Sequence, residues 1–235
     1  MGQGIVRRGF DTLRAEGLKG VWRKARNHLS RKPMYRRLLV LELPFTEDFP
    51  VIEPKIPAKF EELQPSDYDE LIALRPFLTE EVIRLRLEAG HHLYVAKLNG
   101  RIVHSRAVAI GKAYIGYLEI AFPLSSREVY FYEAFTVPDY RRNHLHSACI
   151  SQVSRTMHRL GYQHGVAFVY PHNLLALRSL TKMGCQKKGY VGFVEGLGIR
   201  RYFYRAEDGG LDCLDNAFFV RREKFVPTEL HGQIW

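Results

Sequence analysis

Cysteine is scarce in this sequence of 235 residues, and its three copies lack the paired spacing of disulfide frameworks and zinc sites. No uninterrupted apolar run approaches the ~18 residues that a membrane-spanning helix requires. The N-terminal segment carries too many Lys and Arg residues for a signal peptide. Internal repeats and low-complexity segments are missing as well. These absences predict a globular, cytoplasmic protein with reduced thiols at Cys149, Cys185 and Cys213.

The net charge of +10 is concentrated at the N-terminus. Residues 1–37 contain eleven Lys or Arg against two acids, Asp11 and Glu16, which gives this segment a net charge of +9. The remaining residues contain 24 basic and 23 acidic side chains, a net charge of +1. A nearly neutral body therefore carries a strongly basic arm, which distinguishes the chain from a uniformly basic protein.

The apolar residues of this arm, 1–37, recur at helical spacing in two stripes, over 6–13 and over 18–29, and the second includes Trp22. The pattern predicts two short amphipathic helices. Such helices can dock on the body, on the second subunit of a homodimer, or on an anionic membrane surface. Nucleic acid is the weakest alternative, because no recognisable binding motif accompanies the charge.

The composition changes after the arm. A short apolar run and four prolines predict an edge strand and an extended connector over 38–58. The body is predicted over 59–205, and the tail over 206–235 has no assigned structure or role. Within the body, the Asn99-Gly100 dipeptide predicts a hairpin, and residues 113–122 predict one further strand.

A strand, a turn and a helix are predicted over residues 128–147. An aromatic and β-branched run ends at Pro138, a basic turn follows, and apolar residues then recur every three or four positions from Leu145 to Leu160. The first N–H groups of a helix lack internal partners and, together with the macrodipole, favour an anion. A phosphate site is therefore expected at this turn.

This turn resembles the acyl-CoA pyrophosphate loop of the GNAT acyltransferases. The family pattern runs from a hydrophobic strand and Val to Arg or Gln, then two residues, Gly, one residue, and Gly or Ala. Val137 and Arg141 match the pattern, whereas His144 and His146 stand at its small-residue positions.

A second block also resembles the family. Asn173, Ala176 and Gly184 match its helix after the fifth strand, while Leu180 and Cys185 replace the usual Tyr and Phe. The resemblance covers about 59–205. It implies an α/β fold with a GNAT-like mixed, mostly antiparallel sheet and flanking helices, to which the N-terminal basic amphipathic helical arm is added.

The resemblance further implies acetyl-CoA or another acyl-CoA as co-substrate, and no metal. The strand backbone would pair with the pantetheine arm, and the turn would hold the pyrophosphate. For Asn173 a simple helix cap is the alternative role. The implied cofactor-binding residues are Phe135, Thr136, Val137, Arg141, Arg142, Asn143, His144, Leu145, His146, Ser147 and Asn173.

Acyl transfer to an amine requires a proton acceptor, and Glu133 is the predicted catalytic residue because a carboxylate is unexpected in its aromatic strand. The alternative is a Glu on the sheet face that pairs with an Arg or a tyrosine hydroxyl. His104 and Glu119 are weaker candidates. Because Leu180 replaces the family's usual tyrosine, the general acid for the leaving thiolate is left open.

The expected function is an N-acyltransferase, with acetyl as the expected acyl group. It would move the acyl group directly from acyl-CoA to a primary amine such as an amino sugar or a surface-polysaccharide precursor. One alternative is a non-catalytic acyl-CoA-binding or scaffold module. Another is an adaptor at a membrane surface or on nucleic acid that uses the basic arm.

Overall fold

The computed structural model describes residues 34–196 and 199–207. The expected helices of the arm and the tail after residue 207 lie outside the described residues. Among the described helices, none combines the length and apolar character needed to cross a membrane.

Ten strands and four helices make up the described chain. The strands are β1 (Met34–Pro44), β2 (Lys59–Glu62), β3 (His92–Leu98), β4 (Arg101–Ile110), β5 (Lys112–Ile115), β6 (Ile120–Pro123), β7 (Glu128–Thr136), β8 (His164–Val169), β9 (Gln186–Gly196) and β10 (Ile199–Ala206). The helices are α1 (Tyr68–Leu74), α2 (Glu80–Glu88), α3 (Leu145–Arg159) and α4 (Leu174–Lys182), with 3-10 turns at Pro65–Asp67 and Pro138–Tyr140.

Eight of these strands form one sheet in the order β10-β9-β1-β8-β7-β4-β3-β2. Strands β7 and β8 run parallel. The pairs β1–β8, β2–β3, β3–β4 and β4–β7 are antiparallel. The predicted mixed, mostly antiparallel α/β architecture is therefore confirmed.

Strand β1 lies inside the sheet, between β9 and β8, and the prediction of an edge strand was wrong. Leu38 and Val40 are fully buried, and Leu39 and Leu41 nearly so, so the strand is covered on both faces. A continuous apolar run is typical of such a strand. The prolines that suggested an edge begin only at Pro44, where the strand ends.

The single strand expected over 113–122 is instead a separate two-stranded hairpin, β5 with β6. Glu119 adopts a left-handed conformation, with φ of 55°, in the turn that joins the two strands. The turn contains Gly116 but not the Asn-Gly or Asp-Gly pair of a two-residue hairpin, so the usual hairpin signal was missing.

The chain divides into two compact units. The described part of the smaller unit comprises residues 34–36, 192–196 and 199–203. In it the guanidinium of Arg200 lies 4.2 Å from the ring centre of Phe193, and its Nε donates to Glu195 at 2.6 Å. The larger unit, described over 37–191 and 204–207, contains the candidate site.

The apolar stripe predicted for α3 packs in the core of the larger unit. Cys149, Val153 and Met157 are buried there with residues of β4, β7 and β8, and Leu145 is buried beside Ala96. The last residue of the predicted stripe, Leu160, is exposed because the helix ends at Arg159.

Gly165 has no side chain, and the rings of Phe131 and Phe45 occupy the space where its Cβ would lie. A Cβ built on it would collide with the ring of Phe131 and lie 2.9 Å from Cζ of Phe45. We expect Gly165→Ala to lower the free energy of unfolding by about 1–3 kcal/mol, because overpacked cores must shift side chains or backbone. Denaturant unfolding measures the change, and Gly196→Ala, with nothing within 4 Å of its Cβ, is the control. Equal values for the two variants would contradict the close packing.

Candidate active site

Strands β7 and β8 separate after a short parallel ladder. The register runs from Glu128 opposite His164 to Tyr130 opposite Val166 and ends there. A β-bulge follows in β7, where the pairing with β4 shifts by one residue and Glu133 adopts a φ of 46°. Because a bulge bends its strand, β7 turns away from β8, and a wedge opens between the two strands.

The turn after β7 leads into the N-terminus of α3, as the sequence predicted. Arg142 and His144 both adopt left-handed conformations, with φ of 67° and 58°, and α3 begins immediately afterwards at Leu145. Arg141, Arg142 and His144 are exposed. The carbonyl of Asn143 accepts from the N–H of Lys55 at 3.0 Å and so fixes the turn to the connector. This arrangement places the exposed Arg141 and Arg142 side chains beside the N-terminal N–H groups of α3, which suits a phosphate.

His144 is strained, because a side chain disfavours the left-handed conformation by about 1–2 kcal/mol. We expect His144→Gly to raise the free energy of unfolding by about 0.5 kcal/mol, since relief of this strain exceeds the ~0.5–1 kcal/mol entropic cost of glycine. His144→Ala keeps the Cβ and is the control for loss of the imidazole. If both variants change the unfolding midpoint equally, strain at this position is not the cause.

The other predicted binding residues serve different local contacts. Asn173 caps α4, since its side chain accepts from the N–H of Ala176 at 3.2 Å. The N–H of Val137 donates to the carbonyl of Val103 at 3.0 Å, and the hydroxyls of Ser147 and Ser179 lie 3.1 Å apart. The Phe135 ring lies under the guanidinium of Arg75 at 5.0 Å.

His104 of β4 and Thr136 of β7 form a hydrogen bond between these two neighbouring strands. The distance from Nδ1 of His104 to Oγ1 of Thr136 is 2.8 Å, and His104 is fully buried. The ring of His146 packs edge-on against His104 at 6.1 Å. His146 therefore extends inward, toward the sheet, although its position in the turn suggested a contact with phosphate.

Glu133 forms a buried ion pair with Arg86 of α2. Its two carboxylate oxygens accept from the two terminal nitrogens of the guanidinium at 2.7 and 2.9 Å, and both side chains are about 95% or more buried. Burial alone would lower the pKa of Arg86, but the attraction of Tyr132 and of Glu133 outweighs it and raises the pKa. The geometry is thus that of the alternative interpretation, a sheet Glu paired with an Arg.

Arg86 was missed by the sequence analysis, although a signal for its burial existed. It stands three residues after Ile83, which is fully buried, so the two share the face of α2 that packs on the sheet. A charged residue at such a position requires a buried partner. The helical pattern alone does not identify the carboxylate that pairs with Arg86.

A cavity of about 300 Å³ lies between α2 and strands β4, β5 and β7. Among the described residues that line it, none is an Asp or a Glu. Its walls are mostly apolar and aromatic. They include Leu85 and Arg86 of α2, His91, Tyr114 of β5, and Tyr130 and Tyr132 of β7.

Tyr132 connects this cavity to the wedge. It also lines a second, smaller cavity of about 40 Å³ between β7 and β8, together with Arg106, Phe131, His146 and Leu180. The phenol of Tyr132 lies 2.6 Å from Nδ1 of His91. Burial, then the charge of Arg86, lowers the pKa of His91 to about 4, so the ring in this hydrogen bond is neutral.

Three histidines of the site are held neutral. Burial lowers the pKa of His91 to about 4, that of His104 well below its usual range, and that of His146 to about 3. An imidazole in the unfolded chain titrates near pH ~6.5, so below that pH the unfolded state binds more protons. We therefore expect the free energy of unfolding to fall as the pH drops from about 6.5 toward 4. Urea unfolding at several pH values measures this slope.

His91→Gln should flatten that slope, because it removes one of the three groups. Unchanged stability between neutral pH and pH 5 in the parent protein would contradict the neutral state of these histidines.

Within the described residues, no cluster of three or more His, Cys, Asp or Glu side chains has a metal-binding arrangement. Neither a protein-family model nor a curated protein sequence matches the chain.

Solved structures do resemble it. A GCN5-related glucosamine N-acetyltransferase region of a fungal multi-domain β-N-acetylglucosaminidase superimposes with a TM-score of 0.51 and 14% identity, over 80% of this chain and 23% of that one. An aminoglycoside N-acetyltransferase in complex with CoA gives 0.44 and 17%, over 54% of this chain and 90% of that one. The ribosomal-protein-S18-alanine N-acetyltransferase of Escherichia coli gives 0.44 and 13%, over 54% and 76%. The described body of the chain thus has the fold of the GNAT acetyltransferases.

Proposed function

We propose that the protein is an N-acyltransferase that moves an acyl group from acyl-CoA directly to a primary amine. The observation that carries the proposal is the position of Tyr132, which lines both the wedge between β7 and β8 and the 300 Å³ cavity. A thioester in the wedge and an amine in the cavity would meet at this side chain. Direct transfer requires such a junction, because the two reacting atoms must approach within about 3–3.5 Å.

The turn between β7 and α3 supplies the phosphate side of the proposed CoA site. Arg141 and Arg142 are exposed there, and α3 presents its N-terminal N–H groups. Beyond Tyr130 the edge of β7 is not paired with β8, so an extended pantetheine can add to it as a further strand would. The residues present therefore fit acyl-CoA as co-substrate.

The acceptor side favours an amine in its neutral, nucleophilic form. The cavity has apolar walls, and its charged lining residues, Arg86 and Lys112, are both basic. Apolar burial and a nearby cation both lower the pKa of an amine. The faces of Tyr114, Tyr130 and Tyr132 and the cavity volume suit a single sugar ring, so an amino sugar is the proposed acceptor class.

The role of Glu133 as proton acceptor stays a prediction. Both of its oxygens already accept from Arg86, and the larger cavity is lined by Arg86 and Tyr132 but not by Glu133. This geometry favours a positioning role, in which Glu133 holds Arg86 against the ring of Tyr132 at 5.4 Å.

Release of free CoA from acetyl-CoA tests the proposal, with a panel of amines that includes amino sugars and a polycationic aminoglycoside. The expected result is amine-dependent CoA release, strongest with an amino sugar. A bulky substitution in the wall of the acceptor cavity, Ala109→Phe, should raise the KM for the amine and leave the affinity for acetyl-CoA unchanged. CoA binding without turnover for any amine would favour the alternative of an acyl-CoA-binding module.

That alternative is supported by two departures from the family pattern. His144 holds a strained conformation where the pattern has glycine, and Leu180 has no acidic proton to give to a thiolate. Both features concern catalytic competence rather than the presence of the wedge.

A further inference from the structure

Arg106 of β4 is a buried cation whose described contacts are all uncharged. The residue is 5% exposed, and its Nη2 lies 3.1 Å from Nδ1 of His146. Its guanidinium stands 5.4 Å from the ring centre of Phe131. In the described chain no carboxylate forms an ion pair with it, and its Nε has no hydrogen-bond partner. An arginine in such surroundings is strongly destabilised unless an anion joins it.

The neighbouring titratable groups do not supply that anion. Burial raises the pKa of Cys149 to about 11 and that of Cys185 to about 12, so both thiols are protonated. His146 is neutral. Glu133 shares a small cavity with Arg106, but both of its oxygens accept from Arg86.

Arg106 lines the 40 Å³ cavity inside the wedge. A single water needs about 10–15 Å³ of such space, so this cavity admits a group of only a few heavy atoms. Leu180 and His146 form other parts of the wall. The cavity is therefore a small compartment with a cationic donor, positioned where the proposed thioester would end.

We propose that Arg106 is a catalytic residue that binds the leaving sulfur of the acyl thioester as a thiolate. The inference rests on the proposed function. The amine nitrogen attacks the carbonyl carbon, a C–N bond forms, and the carbonyl electron pair moves to oxygen. When the pair returns, the C–S bond breaks and its electrons go to sulfur. The proton lost by the nitrogen passes to solvent, and the thiolate is neutralised by Arg106 until CoA departs.

The inference accounts for the missing tyrosine. A phenol at position 180 would give the sulfur a proton, whereas a guanidinium gives it a positive charge and hydrogen bonds. Leu180 is then compatible with turnover, because the sulfur need not be protonated inside the site.

Proton release on CoA binding tests the inference on the full-length parent protein. Titration calorimetry near pH 7, in two buffers of different ionisation enthalpy, counts the protons. A thiol titrates near pH ~8.5, so binding as thiolate should release about one proton per CoA. Acetyl-CoA and desulfo-CoA, which lack the thiol, should release none. Equal proton counts for CoA and acetyl-CoA would overturn the inference while leaving the proposed function intact, whereas absence of binding by either ligand would remove both.

Two variants separate the charge of Arg106 from its packing. Arg106→Met should abolish proton release and lower kcat by about 10²–10³-fold with the KM for acetyl-CoA little changed. Arg106→Lys keeps a cation and should retain part of both signals. Loss of turnover in Arg106→Met with proton release unchanged would contradict the assignment. Should Arg106→Met fail to fold, the measurement on the parent protein still decides.

Discussion

Replacing Arg86 by Met is expected to lower the free energy of unfolding by about 3–5 kcal/mol, because it leaves the carboxylate of Glu133 buried without its partner. The side chain of Glu133 is 3% exposed and receives two hydrogen bonds from Arg86, at 2.7 and 2.9 Å. Solvent cannot replace these donors at such a depth. Urea unfolding of the parent protein and of Arg86→Met measures the difference.

A matched surface pair provides the control. Arg84 and Glu80 approach to 3.8 Å on the same helix, but both side chains are more than half exposed. Arg84→Met should change the free energy of unfolding by less than about 0.5 kcal/mol. The double variant Arg86→Met with Glu133→Leu should recover part of the loss, since it removes the buried carboxylate, but the buried Arg75 then loses the attraction of Glu133. Equal effects of Arg86→Met and Arg84→Met would show that the buried pair does not stabilise the fold.

Glu133→Gln is expected to lower kcat by about 10²-fold while leaving the affinity for acetyl-CoA unchanged. A glutamine offers Arg86 only one oxygen, so the guanidinium and the Tyr132 ring that it covers lose their fixed position at the junction of the two cavities.

The pH profile of kcat/KM separates positioning from proton abstraction. If Glu133 only positions Arg86 and Tyr132, the ascending limb of the profile keeps its midpoint in the variant. Loss of that limb would assign the proton to Glu133 after all, as the sequence suggested. Unchanged turnover would remove Glu133 from the mechanism.

The parts of the fold that depend on local pattern could be predicted from the sequence. The strand that ends before Pro138, the basic turn and the stripe of Cys149, Val153 and Met157 all lie where the pattern placed them. Each of these features is set by neighbours close in sequence, through side-chain period and turn chemistry. The likeness to the GNAT fold followed from their order along the chain.

The features that depend on distant partners could not be predicted in the same way. An apolar run such as Leu38–Leu41 is compatible with any buried strand. Its position inside the sheet depends on its neighbours β8 and β9, which are distant in sequence. The buried arginines are a similar case, because Arg86 and Arg106 acquire their roles from residues 47 and 40 positions away. The left-handed backbone conformation of Glu133 results from the β-bulge, and no glycine in the sequence indicates that bulge.

Binding of acetyl-CoA to the full-length protein, followed by titration calorimetry, tests the central claim most directly. The claim is that the wedge between β7 and β8 and the turn over residues 141–147 together form an acyl-CoA site. We predict saturable binding with one site per chain, weakened in the double variant Arg141→Gln with Arg142→Gln and retained in Arg127→Gln, an exposed cation outside the turn. No binding at millimolar acetyl-CoA, or equal affinity for all three proteins, would contradict the claim.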